Sequence, residues 1–202
     1  MELFDAIRGR RSIRAFLDKP VEDEKIGWIL EACRWAPSAG NRQPWEIIIV
    51  KDHDVIESLS RAAYDQDWIS TAPVVLVVCI NERIARSKYG ERGQMYALES
   101  IGCAVQNMML VAHSLGLGSC FVGAFEEDEI KKILGCPGHI NPVALLPIGY
   151  PAEKPETPER VEVPQFTYID KYGKSVDSPE WKGLLEYGKR IKRKVLRTLK
   201  KI

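Results

Sequence analysis

Apolar residues recur along this chain with two periods, and the places where the period changes mark its elements. Ile26, Ile29, Leu30 and Cys33 share one face at helical spacing, which predicts a helix over Glu22–Ala36, bracketed by Pro20 and Pro37. A shorter helix is expected at Leu3–Gly9. Ile47 to Val50 is an unbroken apolar run, so Trp45–Val50 reads as a buried, central strand, and Pro73–Ile80 (PVVLVVCI) as a second one rich in β-branched residues. Helices are expected over Val55–Ala63 and over Glu126–Leu134, the latter ending before Gly135. Gly116–Phe125 reads as turn then strand, and Val143–Tyr150 as the last core strand.

Two stretches depart from these simple patterns. From Tyr96 to Leu115 apolar residues stand at Ala97, Leu98, Ile101, Ala104, Val105, Met108, Met109, Ala112 and Leu115, with more between them, so this helix needs cover on most sides. An ordinary central helix and a helix at a subunit contact both meet that need. Beyond it, the proline-rich Pro151–Pro164 predicts an extended segment, followed by an edge strand at Phe166–Asp170. The order of elements gives an α+β fold, with a domain over 1–164 and a C-terminal extension over 165–202.

A chain of 202 residues suits one domain, and 45% apolar with 28% charged residues matches a globular protein. Met1–Ile13 mixes charges among its apolar residues and so lacks the pattern of a signal peptide. Neither Pro73–Ile80 nor Ile101–Ala112 predicts a membrane span, the first being too short and the second containing Gln106 and Asn107. Five dispersed cysteines, without a C-x-x-C pair or a zinc spacing, read as free and mostly buried thiols with no metal role. The expected location is the cytoplasm. The net charge of +1 conceals an asymmetry: residues 182–202 carry nine Lys or Arg against Glu186 alone, a net +8, which leaves about −7 on the remainder. The apolar positions of this tail have near-helical spacing, which suits a solvated amphipathic helix or a surface for an anionic partner.

Two segments carry candidate chemistry. Arg10-Arg11-Ser12-Ile13-Arg14 offers three guanidiniums, a hydroxyl and backbone N–H groups, a donor set suited to a phosphate dianion. Taken alone, it reads rather as a solvated basic turn paired with Glu22, Asp23 or Glu24. Pro37-Ser38-Ala39-Gly40-Asn41-Arg42-Gln43-Pro44-Trp45 leads straight into a strand; its small residues permit close approach of a planar ligand, and Ser38 and Asn41 can hydrogen-bond a heteroaromatic edge. Alone, it is equally a packing loop. No G-x-S-x-G, H-E-x-x-H or P-loop occurs, and His53, His113 and His139 are scattered, so no catalytic side chain is assigned.

Taken together, R-R-S-x-R-x-F near the start and S-x-x-N-x-Q-P-W before a strand resemble the FMN-dependent nitroreductase family. The resemblance continues through Ala72-Pro73, Gly102, the segment Gly116–Phe125, and Leu146–Pro151 with Arg160 beyond. It implies a mixed, mostly antiparallel sheet flanked by helices in an intertwined homodimer, with FMN as cofactor and NADH or NADPH as hydride donor. A small acceptor, such as a nitroaromatic or a quinone, would be reduced in ping-pong order. In that pattern Arg10, Arg11, Ser12, Arg14 and Arg160 hold the FMN phosphate, Asn41 meets the pyrimidine side of the isoalloxazine, and Pro37, Ser38 and Ala39 reach the partner's flavin. Gly123 and Ala124 lie against flavin N5, while Ile148 and Gly149 pass near the phosphate and ribityl chain. At Gly123 the chain departs from one large bacterial branch, which carries an acidic residue there. A second class, a flavin relay or sensor docking a partner through the basic tail, would show slow turnover with every small acceptor. A third, a nucleic-acid or membrane-surface protein, would be colourless and bind polyanions in a salt-sensitive way.

Overall fold

The computed structural model describes residues 1–176 and divides the chain into two compact units, Met1–Pro155 and Glu156–Ile202. The basic segment at 182–202 lies outside the described residues.

In the first unit the order is α1 (Leu3–Gly9), α2 (Asp23–Arg34), β1 (Trp45–Val50), α3 (His53–Ala62), β2 (Val74–Asn81), α4 (Glu82–Tyr89), α5 (Arg92–Ser114), β3 (Gly118–Ser119), α6 (Glu127–Leu134) and β4 (Ile140–Gly149). The four strands form one antiparallel sheet in the order β1-β2-β4-β3.

The alternation of side chains across β2 explains why its whole apolar run is needed. Val74, Leu76, Val78 and Ile80 point to a core shared with α2 and α5, whereas Val75, Val77 and Cys79 point to a second core beneath α3 and α6. Every residue from Val74 to Ile80 is buried. Removing side chains of this size from water contributes about 1.5–3 kcal/mol each, so this strand anchors both layers. In β4 the pairing steps from Val78–Ala144 to Cys79–Pro142, so Val143 opposes no residue of β2. That one-residue bulge reverses the alternation, and Ile140 therefore faces the same core as Leu145.

The helices carry local stop and start signals. Asp52 caps α3 by accepting from the N–H groups of Asp54 and Val55 at 3.0 and 3.2 Å. Asn81 caps α4 in the same way. In α6, Glu127, Asp128 and Glu129 stand in the first turn and Lys131 and Lys132 in the last, matching the helix dipole, and Gly135 ends it at φ 64°.

Four expectations change. Trp45–Val50 is a strand but, among the described residues, an edge one: Ile47 packs on one core and Ile48 on the other, while Ile49 is 44% exposed. An apolar run reports burial on two faces, not a place in the middle of a sheet. The Gly116–Phe125 strand shrinks to Gly118–Ser119 and a single Val122–Leu145 bridge. Phe166–Asp170, in the second unit, forms no strand; Tyr168 makes one antiparallel bridge to Ser175, after a 3-10 turn at Val163–Gln165 closed by reciprocal Glu162 and Gln165 contacts. A helix absent from the sequence reading, α4, fills the interval before α5, which begins at Arg92 instead of Tyr96.

Candidate functional site

The arginine-rich segment leaves α1 and is stitched to the sheet edge, residue by residue. Ser12 forms a parallel bridge with Ser119, and the Ile13 N–H donates to the Ser119 carbonyl at 3.1 Å. The strand then runs beside the continuation of β4: Arg14 N–H donates to a Glu153 carboxylate oxygen, Ala152 N–H to Ala15 O at 2.9 Å, and Leu17 N–H to Tyr150 O at 2.8 Å, with Phe16 bridging Pro151. Close approach dictates two glycines. A Cβ on Gly118 would lie 2.7 Å from Ile13 Cγ1, and one on Gly149 would lie 2.7 Å from Pro73 and 2.9 Å from Phe16.

The charges of this segment converge on two neighbours. Burial pushes the Cys120 thiol up, while Arg14, a hydrogen bond from Ser12 and Arg10 oppose that and Glu153 adds to it. His113, in the last turn of α5, is pulled below the usual histidine range by burial, then by Arg10 and Arg11. The Arg14 guanidinium also sits 5.9 Å from the centroid of Trp68, which packs with Ile13, Phe16 and Ala72. Arg10, Ser12, Arg14, Ile148 and Gly149 are thus one structural unit, because Ser119 pairs with Ile148 and Gly118 with Gly149. Arg11 turns back to α1, donating to the carbonyls of Arg8 and Arg10 at 2.7 and 2.8 Å. Of the acidic residues weighed for a basic turn, Glu22 accepts from Tyr150 and pairs with Lys25, and Asp23 pairs with Lys51.

Pro37–Asn41 lies elsewhere on the same unit. A 3-10 turn at Ala39–Asn41 holds Gly40, Asn41 and then Gln43 at φ 55°, 55° and 49°. Two of these residues are not glycine, so the turn carries strain of the kind found at ligand clamps. It is held by Ser38, whose Oγ accepts from Gln43 N–H at 3.0 Å, and by the buried Ser100 of α5, whose Oγ accepts from Ala39 N–H at 3.3 Å. Beside it Ala39, Arg42, Pro44, Tyr89, Tyr96 and Ser100 border a small surface cleft.

Ser100 marks where this turn meets α5, and His113 marks where the arginines meet it. Thirteen residues separate them, about 20 Å at 1.5 Å per helical residue. Within one chain the two motifs therefore meet one helix at points about 20 Å apart. Gly123 and Ala124 are exposed in the loop before α6, tied by Gln66, whose Nε2 donates to Ala124 O at 3.3 Å. Arg160 belongs to the second unit, where it donates to Glu159 O at 3.2 Å.

Sequence alone assigned no site role to Ser100, Ser119, Cys120 or Glu153. Ser100, a polar residue inside the apolar pattern of α5, was a visible signal; Glu153 was not, since its partner is 139 residues away.

A profile of the nitroreductase family matches residues 7–66 and 57–150. The chain belongs to the nitroreductase family. Among relatives, it is 31% identical over 188 residues to the FMN reductase (NAD(P)H) of Bacillus subtilis, covering 84% of this chain and 76% of that protein. With the NADH dehydrogenase of Thermus thermophilus the identity is 34% over 72% of this chain and 84% of the relative. The crystal structure of nitroreductase A from Vibrio parahaemolyticus superposes with a TM-score of 0.79 at 26% identity, covering 85% of this chain and 77% of the other. The expected α+β nitroreductase-like fold is thereby established, and with it an oxidoreductase of the nitroreductase type. No helix among the described residues is long and apolar enough to cross a membrane.

Proposed function

We propose that this member of the nitroreductase family is an FMN enzyme that uses NADH or NADPH to reduce a small acceptor of the nitroaromatic or quinone class. The observation that carries the reading is the stitched Arg10–Arg14 segment, which presents guanidiniums, the Ser12 hydroxyl and a sheet edge made close-fitting by Gly118 and Gly149. That donor set fits a phosphate monoester, and the strained Asn41 turn fits a hydrogen-bonding ring edge. When bound, FMN supplies hydride acceptance and donation at N5, in ping-pong order between nicotinamide and acceptor.

The chain's own residues bind and orient. Arg10, Arg11, Ser12 and Arg14 would neutralise the phosphate, and the Ile148–Gly149 backbone would pass beside it. Pro37, Ser38, Ala39 and Asn41 would contact the ring, and the exposed Gly123–Ala124 backbone would serve its N5 side. No side chain is assigned a proton.

The separation of the two motifs along α5 supports a site built from two chains, with Pro37–Ala39 serving the partner's flavin. A homodimer is supported also by the apolar residues that the first unit leaves exposed, among them Leu3 and Phe4 on α1 and Met95 and Leu98 on α5.

The visible absorption spectrum of the purified protein, before and after anaerobic NADH, tests the reading. A yellow protein that releases FMN and is bleached by NADH is expected. Bleaching by dithionite alone would favour an electron relay, and colourless protein that refuses added FMN would end the flavin reading.

A further inference from the structure

The Arg10–Arg14 segment is held by a carboxylate. Glu153 follows β4 by four residues, and its Oε1 accepts from the Arg14 N–H at 2.5 Å, at the end of the ladder that stitches residues 12–17 to the sheet edge. Its position within the cluster has a second, independent mark: Arg10, Arg14 and Glu153 all act on the same buried Cys120 thiol, the two arginines in one sense and the carboxylate in the other. A neutral acceptor such as a carbonyl, an amide or a hydroxyl would satisfy the Arg14 N–H equally well. The carboxylate adds repulsion toward any anion bound by the same arginines.

On the reading that Arg10–Arg14 hold the FMN phosphate, we propose that Glu153 is a positioning residue that sets the charge of this cradle, ordering Arg14 while weakening the grip on the phosphate so that the cofactor exchanges. The carboxylate and the phosphate compete for the same positive field, so the flavin is retained less tightly than the arginines alone would hold it. The effect is confined to the phosphate: a flavin lacking that group does not sense Glu153.

The test compares the holoprotein with its Glu153→Gln variant, which keeps an oxygen acceptor for the Arg14 N–H and removes the charge. Release of FMN on dilution is followed by the rise of flavin fluorescence, and the same is done after exchange of FMN for riboflavin. The variant is expected to release FMN about tenfold more slowly, the order of effect for one unit charge removed at close range near a protein surface. Riboflavin release should change by less than about twofold on the same argument. FMN release that is unchanged or faster in the variant, or an equal slowing with both flavins, overturns the proposal and leaves Glu153 as a strap only. Two results would instead overturn the underlying reading along with it: a parent protein without flavin, or a parent that releases FMN and riboflavin at the same rate.

Discussion

His113 shows how one side chain reports on the cationic segment. Gly9 lets the chain pass over it: a Cβ there would lie 2.7 Å from His113 Nε2. The end of a helix ordinarily favours a protonated histidine, but burial and the charges of Arg10 and Arg11 outweigh that preference and lower its pKa. Since the folded pKa lies below the unfolded value of about 6.5, the unfolded chain binds the proton more readily, and stability present above pH 6.5 is lost as the pH falls through the folded pKa. Denaturant titrations at pH 7.5 and pH 5 should therefore show a smaller acid-induced loss for His113→Gln than for the parent. An imidazole NMR midpoint at or above 6.5 would contradict this. The arginine run itself was legible in the sequence, because three guanidiniums and a hydroxyl within five residues are a local signal. Its long-range partners were not: Ser119 and Glu153 are fixed to it only by strand register, which leaves no trace in neighbouring residues.

Among the elements, α4 and α5 form a tight pair whose contact depends on Gly93. A Cβ at that position would sit 2.1 Å from the Ala85 carbonyl oxygen, a backbone atom that no rotamer change can move aside. Gly93→Ala should therefore destabilise by about 1–3 kcal/mol, as overpacking does. Gly27→Ala in α2, where a Cβ would meet nothing within 4 Å, should instead stabilise by about 0.5–1 kcal/mol through helix propensity. Thermal melts of the two variants check both signs. The same comparison explains which elements the sequence disclosed. The helix α2 was visible in Ile26, Ile29 and Cys33, all of which are buried. In α4 only Ala85 is buried, and Arg83, Arg86 and Lys88 dominate its pattern, so packing against α5 instead of periodicity determines it. The bulge at Val143 was hidden for a related reason: alternation within β4 changes phase without changing composition.

At the scale of the whole molecule, the apolar surface on α1 and α5 and the division of the two motifs along α5 bear on assembly. Light scattering behind a sizing column should give about twice the 22.9 kDa of one chain, because an isologous pair of these faces would bring the arginine end of one protomer's site to the turn of the other. A monomer that still carries flavin would refute the two-chain site. The double-sided burial of β2 reaches further, into synthesis. On the nascent chain the strand Val74–Asn81 has β1 available at once, but its other neighbour, Ile140–Gly149, is made some sixty residues later. At about 5–20 residues per second that is an interval of several seconds, during which a run of seven apolar residues has one edge unpaired and lacks part of the cover on each face, α2 and α3 being made but β4 and α6 not. This segment, neutral and free of proline, is then the point at which the emerging polypeptide is most open to aggregation and to capture by chaperones.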